Sequence, residues 1–286
     1  MSARIVIGVN GSPADRRTAR WAAIRAAETG ESLEFVHVVD EAIRATGNAD
    51  FLLAAQSAAR TFIDEAVAIA RSIAPEATIE TEIEQGDPFR IIGEHAEDAS
   101  LLVVGSDWTG GERPTTRGTK SLRFAATSHD VPVAIVPDIE VGERPGVVVG
   151  VDGSEIAQRA LEFAAGEAER RGGPLIVIHA WTIPLLADYN YGFEYAYTAD
   201  YAKDLDEGAR AELDAALEGF AERHPGLDVR KVVVQDDPVV ALTEAAGQRA
   251  LLVVGTHGRG AIARLFLGSV SHGVLTNMVA PTVLVQ

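Results

Sequence analysis

In the second half of this 286-residue chain, Gly255-Thr256-His257-Gly258 is followed after nine residues by Gly268-Ser269. The pattern, G-x2-G-x9-G-S, has the chemistry of an anion cradle. Glycines let backbone N–H groups approach a phosphate without an intervening Cβ. A helix beginning at Ser269 would point unpaired N–H groups and its positive dipole end at the same spot. The Ser269 hydroxyl can donate a further bond, and Arg259 and Arg264 lie inside the loop as counter-charges. Asp152, at the end of an apolar run, can accept bonds from a ribose or adenine edge. The first half keeps the spacing but not the residues. Gly105-Ser106-Asp107-Trp108 is followed after nine residues by Gly118-Thr119, with Trp108 in place of the middle glycine and Asn10 in place of Asp152. An indole there disturbs both the space and, where the loop needs positive φ, its shape.

Taken singly, each part has a structural reading. Gly258 is also a turn residue, Ser269 a helix cap, and Asp152-Gly153-Ser154 a strand-to-helix turn. The loop is not a Walker A loop, because no Lys-Ser/Thr pair follows the glycines, and no G-x-S-x-G elbow is present. His37 and His179 fall within strands and read as core or near-surface histidines. No His/Asp/Glu group has metal-ligand spacing, and without cysteine there is no thiolate chemistry or disulfide.

The elements that must hold these residues come as a duplication. Gly255 and Gly105 differ by 255 − 105 = 150, and the same offset pairs Gln85 with Gln235, Asp87-Pro88 with Asp237-Pro238, and Leu101–Val104 with Leu251–Val254. Nearer the start, Gly8 pairs with Gly150 and His37 with His179 at an offset of 142. The difference, 150 − 142 = 8, places an eight-residue insertion between about Ala180 and Leu213, where all five tyrosines (Tyr189, Tyr191, Tyr195, Tyr197, Tyr201) fall. That segment reads either as packing at the start of a helix or as a flap beside the adenine end of the second site.

Each half alternates apolar runs with helical periodicity. In the first, Ile5–Val9, Phe35–Val39, Thr78–Gln85, Leu101–Gly105 and Val133–Val136 are predicted strands. Ser12-Pro13-Ala14-Asp15 reads as an N-cap, a first-turn proline and an acid, opening a helix that ends near Gly30. Helices are also predicted around Phe51–Ile73, over Pro88–Glu97 and from near Thr119. This is an α/β fold: two tandem doubly wound five-stranded parallel sheets with helices on both faces. The expected boundaries are 1–140 and 145–286, with Ile139–Pro145 as linker. In such sheets ligands sit beyond the carboxyl ends of the strands, where strand order reverses. In the second half this brings together Asp152, Ala180 and the Gly255–Ser269 loop.

The run from Val253 through Gly255-Thr256-His257-Gly258-Arg259-Gly260 and Arg264-Leu265-Phe266-Leu267-Gly268-Ser269-Val270 to Pro281-Thr282-Val283-Leu284-Val285 resembles the ATP-binding signature and closing strand of universal stress proteins. The resemblance covers both halves. It implies strand order 3-2-1-4-5 in each, a last strand that pairs in dimers, and ATP, alone or with Mg. It also implies roles: Asp152 beside the adenosine, the Ala180 backbone on the adenine, Gly255 on the ribose, and Gly258, Gly268, Ser269 and Val270 on the phosphates, with Arg259 nearby. The first-half counterparts are Asn10, Val38, Gly105, Gly118 and Thr119, a weaker site.

The expected function is an ATP-binding, nucleotide-dependent stress-response regulator or sensor. A slow ATPase, an adenylate-forming or nucleotidyl-transfer enzyme, and a pure interaction module on the same fold are the competing classes. No general base is identifiable, so hydrolysis is expected to be slow at most. A net charge of −17 argues against nucleic acid or an anionic membrane as partner. No apolar run approaches the roughly 18 residues of a membrane span. No secretory pattern opens the chain, so a cytoplasmic location is expected. The expected assembly is an intramolecular pseudo-dimer, with a homodimer of chains left open.

Overall fold

The computed structural model describes residues 3–106, 120–127, 131–140, 144–183, 199–258 and 267–286. Trp108, Gly118, Thr119, Arg259, Arg264 and four of the tyrosines (Tyr189, Tyr191, Tyr195, Tyr197) lie outside the described residues. Tyr201 is a half-buried helix residue.

In the first half the elements are β1 (Arg4–Val9), α1 (Ala14–Thr29), β2 (Ser32–Asp40), α2 (Glu41–Ala45), α3 (Ala49–Ile73), β3 (Ile79–Gly86), α4 (Pro88–Ala96), β4 (Leu101–Ser106), α5 (Lys120–Thr127) and β5 (Val133–Pro137). The second half follows with β6 (Val147–Gly150), α6 (Glu155–Arg171), β7 (Leu175–Trp181), α7 (Ala199–Ala216), α8 (Phe220–Arg223), β8 (Val229–Gln235), α9 (Pro238–Ala246), β9 (Leu251–Gly255), α10 (Ser269–Thr276) and β10 (Thr282–Val285).

The strands form one ten-stranded sheet in the order β3-β2-β1-β4-β5-β10-β9-β6-β7-β8. Each half reads 3-2-1-4-5 and is internally parallel. The two five-stranded sheets join edge to edge at the centre, in keeping with the pairing of last strands that the resemblance implies. There β5 and β10 pair antiparallel, Thr282 opposite Ile135 and Leu284 opposite Val133. The reason is that the last strand of each half would otherwise present unpaired N–H and C=O groups, and joining the two satisfies both.

Strand periodicity sorts the core into two layers. Ile5, Ile7 and Val9 point to the face covered by α1 and α3, and Val6 to the face covered by α4. On the first face Ala19, Ala22, Ala23 and Ala26 line α1, and Ala160, Ala164 and Ala168 line α6; their small side chains let the helices lie close to the sheet. Fully buried Leu161 carries the bulk on α6; truncation to alanine would cost about 2–5 kcal/mol.

One local expectation fails. α1 begins at Ala14, and its cap, Pro13, is in the αR region with no side-chain capping bond. Ser12 therefore does not cap through its hydroxyl. Its second-half counterpart does: the Ser154 Oγ accepts the Ala157 N–H at 3.1 Å.

Candidate functional site

The order reversal of the second half lies between β6 and β9. At the carboxyl end of these strands is a cavity of about 490 Å³, within the usual range for small-molecule sites. Its wall contains every described second-half candidate: Asp152, Ala180, Gly255, Gly258, Gly268, Ser269 and Val270. These come from three separate stretches of chain. Ile178, Leu242 and Val254 supply an apolar side that sequence reasoning did not single out.

Asp152 follows β6 and is fixed by its own turn, the Oδ1 accepting the Ser154 N–H at 3.0 Å. The next loop closes against it. A Cβ added to Gly258 would collide with the Asp152 Oδ2, and one added to Gly255 would lie 2.7 Å from the Ile156 Cγ2. The φ of Gly258 is outside the left-handed region. A side chain at 258 would therefore force the Asp152 carboxylate to move, and the preference for glycine there comes from this close approach and not from positive φ.

Thr256 holds the two ends of the glycine loop together. Its N–H donates to the Val285 carbonyl at 2.9 Å, and its own carbonyl accepts from the Gly268 N–H at 2.8 Å and the Ser271 hydroxyl at 2.9 Å. The start of α10 is thereby tied to the end of β9. Gly268 is the N-cap of α10, extended at φ −61° and ψ 160°, and among the described residues no side chain caps the helix. Ser269 is consequently the first helical residue, exposed at the cavity wall, and not the cap that it could have been from sequence. First-turn N–H groups without a side-chain cap favour an anion, as the helix dipole also does.

In the first half, Asn10, Val38 and Gly105 come to the carboxyl ends of the adjacent strands β1, β2 and β4. The Asn10 Oδ1 accepts the Ser12 N–H at 2.9 Å, copying the Asp152 turn. The neighbouring chemistry differs. Asp15, buried, accepts the Gly11 N–H at 2.6 Å and the Asn10 N–H at 3.1 Å. Its counterpart at offset 142 is Ala157, which lines the second-half cavity. A carboxylate thus occupies loop amides in the first half where the second has a methyl group. Sequence reasoning missed this although the Asp15/Ala157 difference was legible once the offset was known. His37 is also held architecturally: its Nδ1 donates to the Val9 carbonyl at 2.9 Å, and burial pushes its pKa below the ordinary value against that bond.

The Universal stress protein family model matches residues 1–137 and again 145–286. Among curated proteins, Universal stress protein Rv1996 of Mycobacterium tuberculosis is 30% identical over 303 residues, covering 99% of this chain and 94% of that protein. Universal stress protein Rv2623 of the same species is 29% identical over 281 residues, covering 94% and 92%. Among solved structures, a universal stress protein from Archaeoglobus fulgidus superposes with a TM-score of 0.73 at 18% identity, covering 98% of this chain and 95% of that one.

Proposed function

Because this chain belongs to the universal stress protein family, we propose that its second half binds ATP and that the protein acts as a nucleotide-dependent regulator or sensor in a stress response. One observation carries the reading: the residues singled out by the G-x2-G-x9-G-S pattern, together with Asp152 and Ala180, line a single cavity at the order reversal of the sheet.

The cavity fits the nucleotide in three respects. Its apolar wall of Ile178, Leu242 and Val254 suits a purine face. The Ala180 backbone and the Asp152 carboxylate stand beside that wall as partners for adenine and ribose edges. Gly258, Ser269 and Val270 offer backbone N–H groups and a helix N-terminus to the phosphates, and Gly268, whose own N–H is taken by the Thr256 carbonyl, lets them approach without a Cβ. A chain of net charge −17 needs such local dipoles to hold an anion.

The first half is the weaker site in this reading. Asp15 supplies a buried negative charge to its β1–α1 loop, and Asn10 replaces the acid. The protein then carries about one nucleotide per chain. Mass spectrometry of small molecules released on denaturation, followed by calorimetric titration with ATP, tests the proposal. An adenine nucleotide bound in the micromolar range or tighter is the expected result. Absence of both released nucleotide and binding heat would refute it.

A further inference from the structure

At the central joint, α1 and α6 bring a cluster of charged side chains together under the β5–β10 pair. The Arg25 guanidinium meets Glu167, and that of Arg170 meets Glu28. At offset 142, residue 25 is the counterpart of 167 and residue 28 that of 170. Each of these positions therefore faces its own repeat across the joint, and in both cases the charge has been exchanged.

Two more ions complete the cluster. Glu31 accepts from the Arg25 Nε at 3.1 Å, and the Arg171 Nε lies 3.6 Å from Glu167. Their counterparts, Gly173 and Thr29, carry no charge. Aromatic rings close the flanks, with Arg25 5.7 Å from the Phe163 ring centroid and Arg171 6.0 Å from that of Trp21. The Arg25 and Glu167 side chains keep only 12% and 4% of their exposure, so solvent screens the pair little.

The balance differs between the halves. The first contributes Arg25, Glu28 and Glu31, net −1; the second contributes Glu167, Arg170 and Arg171, net +1. Joined, they are neutral. Two first halves meeting through the same surface would bring together a net charge of −2, and two second halves +2. The cations are already crowded. Burial first, with Arg171 and Arg25 close by, pulls the Arg170 pKa down to about 9.

We infer that this joint is an interaction surface coded for unlike halves: the first half accepts only a surface carrying the complementary cluster of the second, and the face is closed to a like half from another copy. A symmetric dimer requires the same patch on both partners. Duplication within one chain removes that requirement, and charge complementarity then discriminates between partners by penalising like-charge juxtaposition.

The test uses the full-length chain and thermal unfolding. Arg25→Glu places a third carboxylate beside Glu167 and Glu31 and should lower the Tm by about 10 °C. Adding Glu167→Arg restores neutrality and the pair across the joint but leaves a carboxylate at position 25 beside Glu31 and a guanidinium at position 167 beside Arg170 and Arg171, so it should recover part of the loss and not all of it. A cycle without reversed charges covers the case in which Arg25→Glu does not fold. Glu31→Gln and Arg171→Gln each unbalance the cluster, whereas together they restore neutrality, so the double variant should lose clearly less than the sum of the singles. Glu31 and Arg171 meet different partners, so such coupling reports the net charge of the cluster and not a contact between them. Additive losses in this cycle, or an Arg25→Glu variant as stable as the parent, would overturn the inference.

Discussion

Replacing Gly258 by alanine is the sharpest perturbation of the proposed nucleotide site, because the smallest possible side chain would land on the Asp152 carboxylate. The carboxylate can turn away more easily than the backbone can move, but turning it gives up the bond from the Ser154 N–H at 3.0 Å. Such a bond is worth about 1 kcal/mol, and holding a side chain off its rotamer costs a further ~1 kcal/mol. If ATP bonds to the carboxylate as it stands here, a carboxylate turned away withholds that bond, which is worth about 2 kcal/mol when one partner is charged. The Kd for ATP should then rise about 30-fold. Turning the carboxylate itself costs the free protein ~2 kcal/mol, so the Tm should also fall, by roughly 5 °C. Calorimetric titration of Gly258→Ala, Asp152→Ala and the double variant separates the contributions. Once Asp152 is truncated the collision has no partner, and Gly258→Ala should then weaken binding by less than about threefold. Unchanged affinity in the single variant, or the full loss in the Asp152→Ala background, would refute the steric argument.

Gly268→Asp puts a carboxylate at the N-cap of α10, where it is tolerated by the helix but repels phosphate; ATP binding should be lost with the fold intact, and unchanged affinity by calorimetry would remove this loop from the site. Stoichiometry should be close to one ATP per chain, since Asp15 already takes the first-half loop amides; two equal sites by calorimetry would contradict this. A pH dependence should arise at His95, whose Nδ1 meets Glu34 at 2.6 Å and whose Nε2 meets Glu84 at 2.7 Å. Burial opposes protonation there, but the two carboxylates outweigh it and raise the imidazole pKa above 6.5. The stabilisation is therefore complete below about pH 6.5 and is lost as pH rises through the raised value. The Tm advantage of the parent over His95→Gln should shrink from pH 6 to pH 9, and a constant difference across that range would exclude the linkage.

Much of this protein is written in local spacing. The offsets of 150 and 142 locate the duplication, apolar runs between helical stretches reveal the strands, and the family resemblance implies the order 3-2-1-4-5 that they take in each half. The glycine pattern points to residues that line one cavity, because the switch point of a doubly wound sheet follows from strand order. Those features depend on residues near one another in the chain or on repeated periods. Three others do not. The union of β5 with β10 into one sheet depends on two edges meeting across the molecule. The glycine at 258 packs against a carboxylate in a different loop, a contact that spacing along the chain could not reveal. The exchange of charge between Arg25 and Glu167 acquires meaning only when α1 and α6 face each other in the folded chain. Sequence determined which elements form and where a phosphate cradle is expected. Tertiary structure decided which distant groups share a small, poorly solvated space, because contact and charge act through distance in the fold and not through separation along the chain.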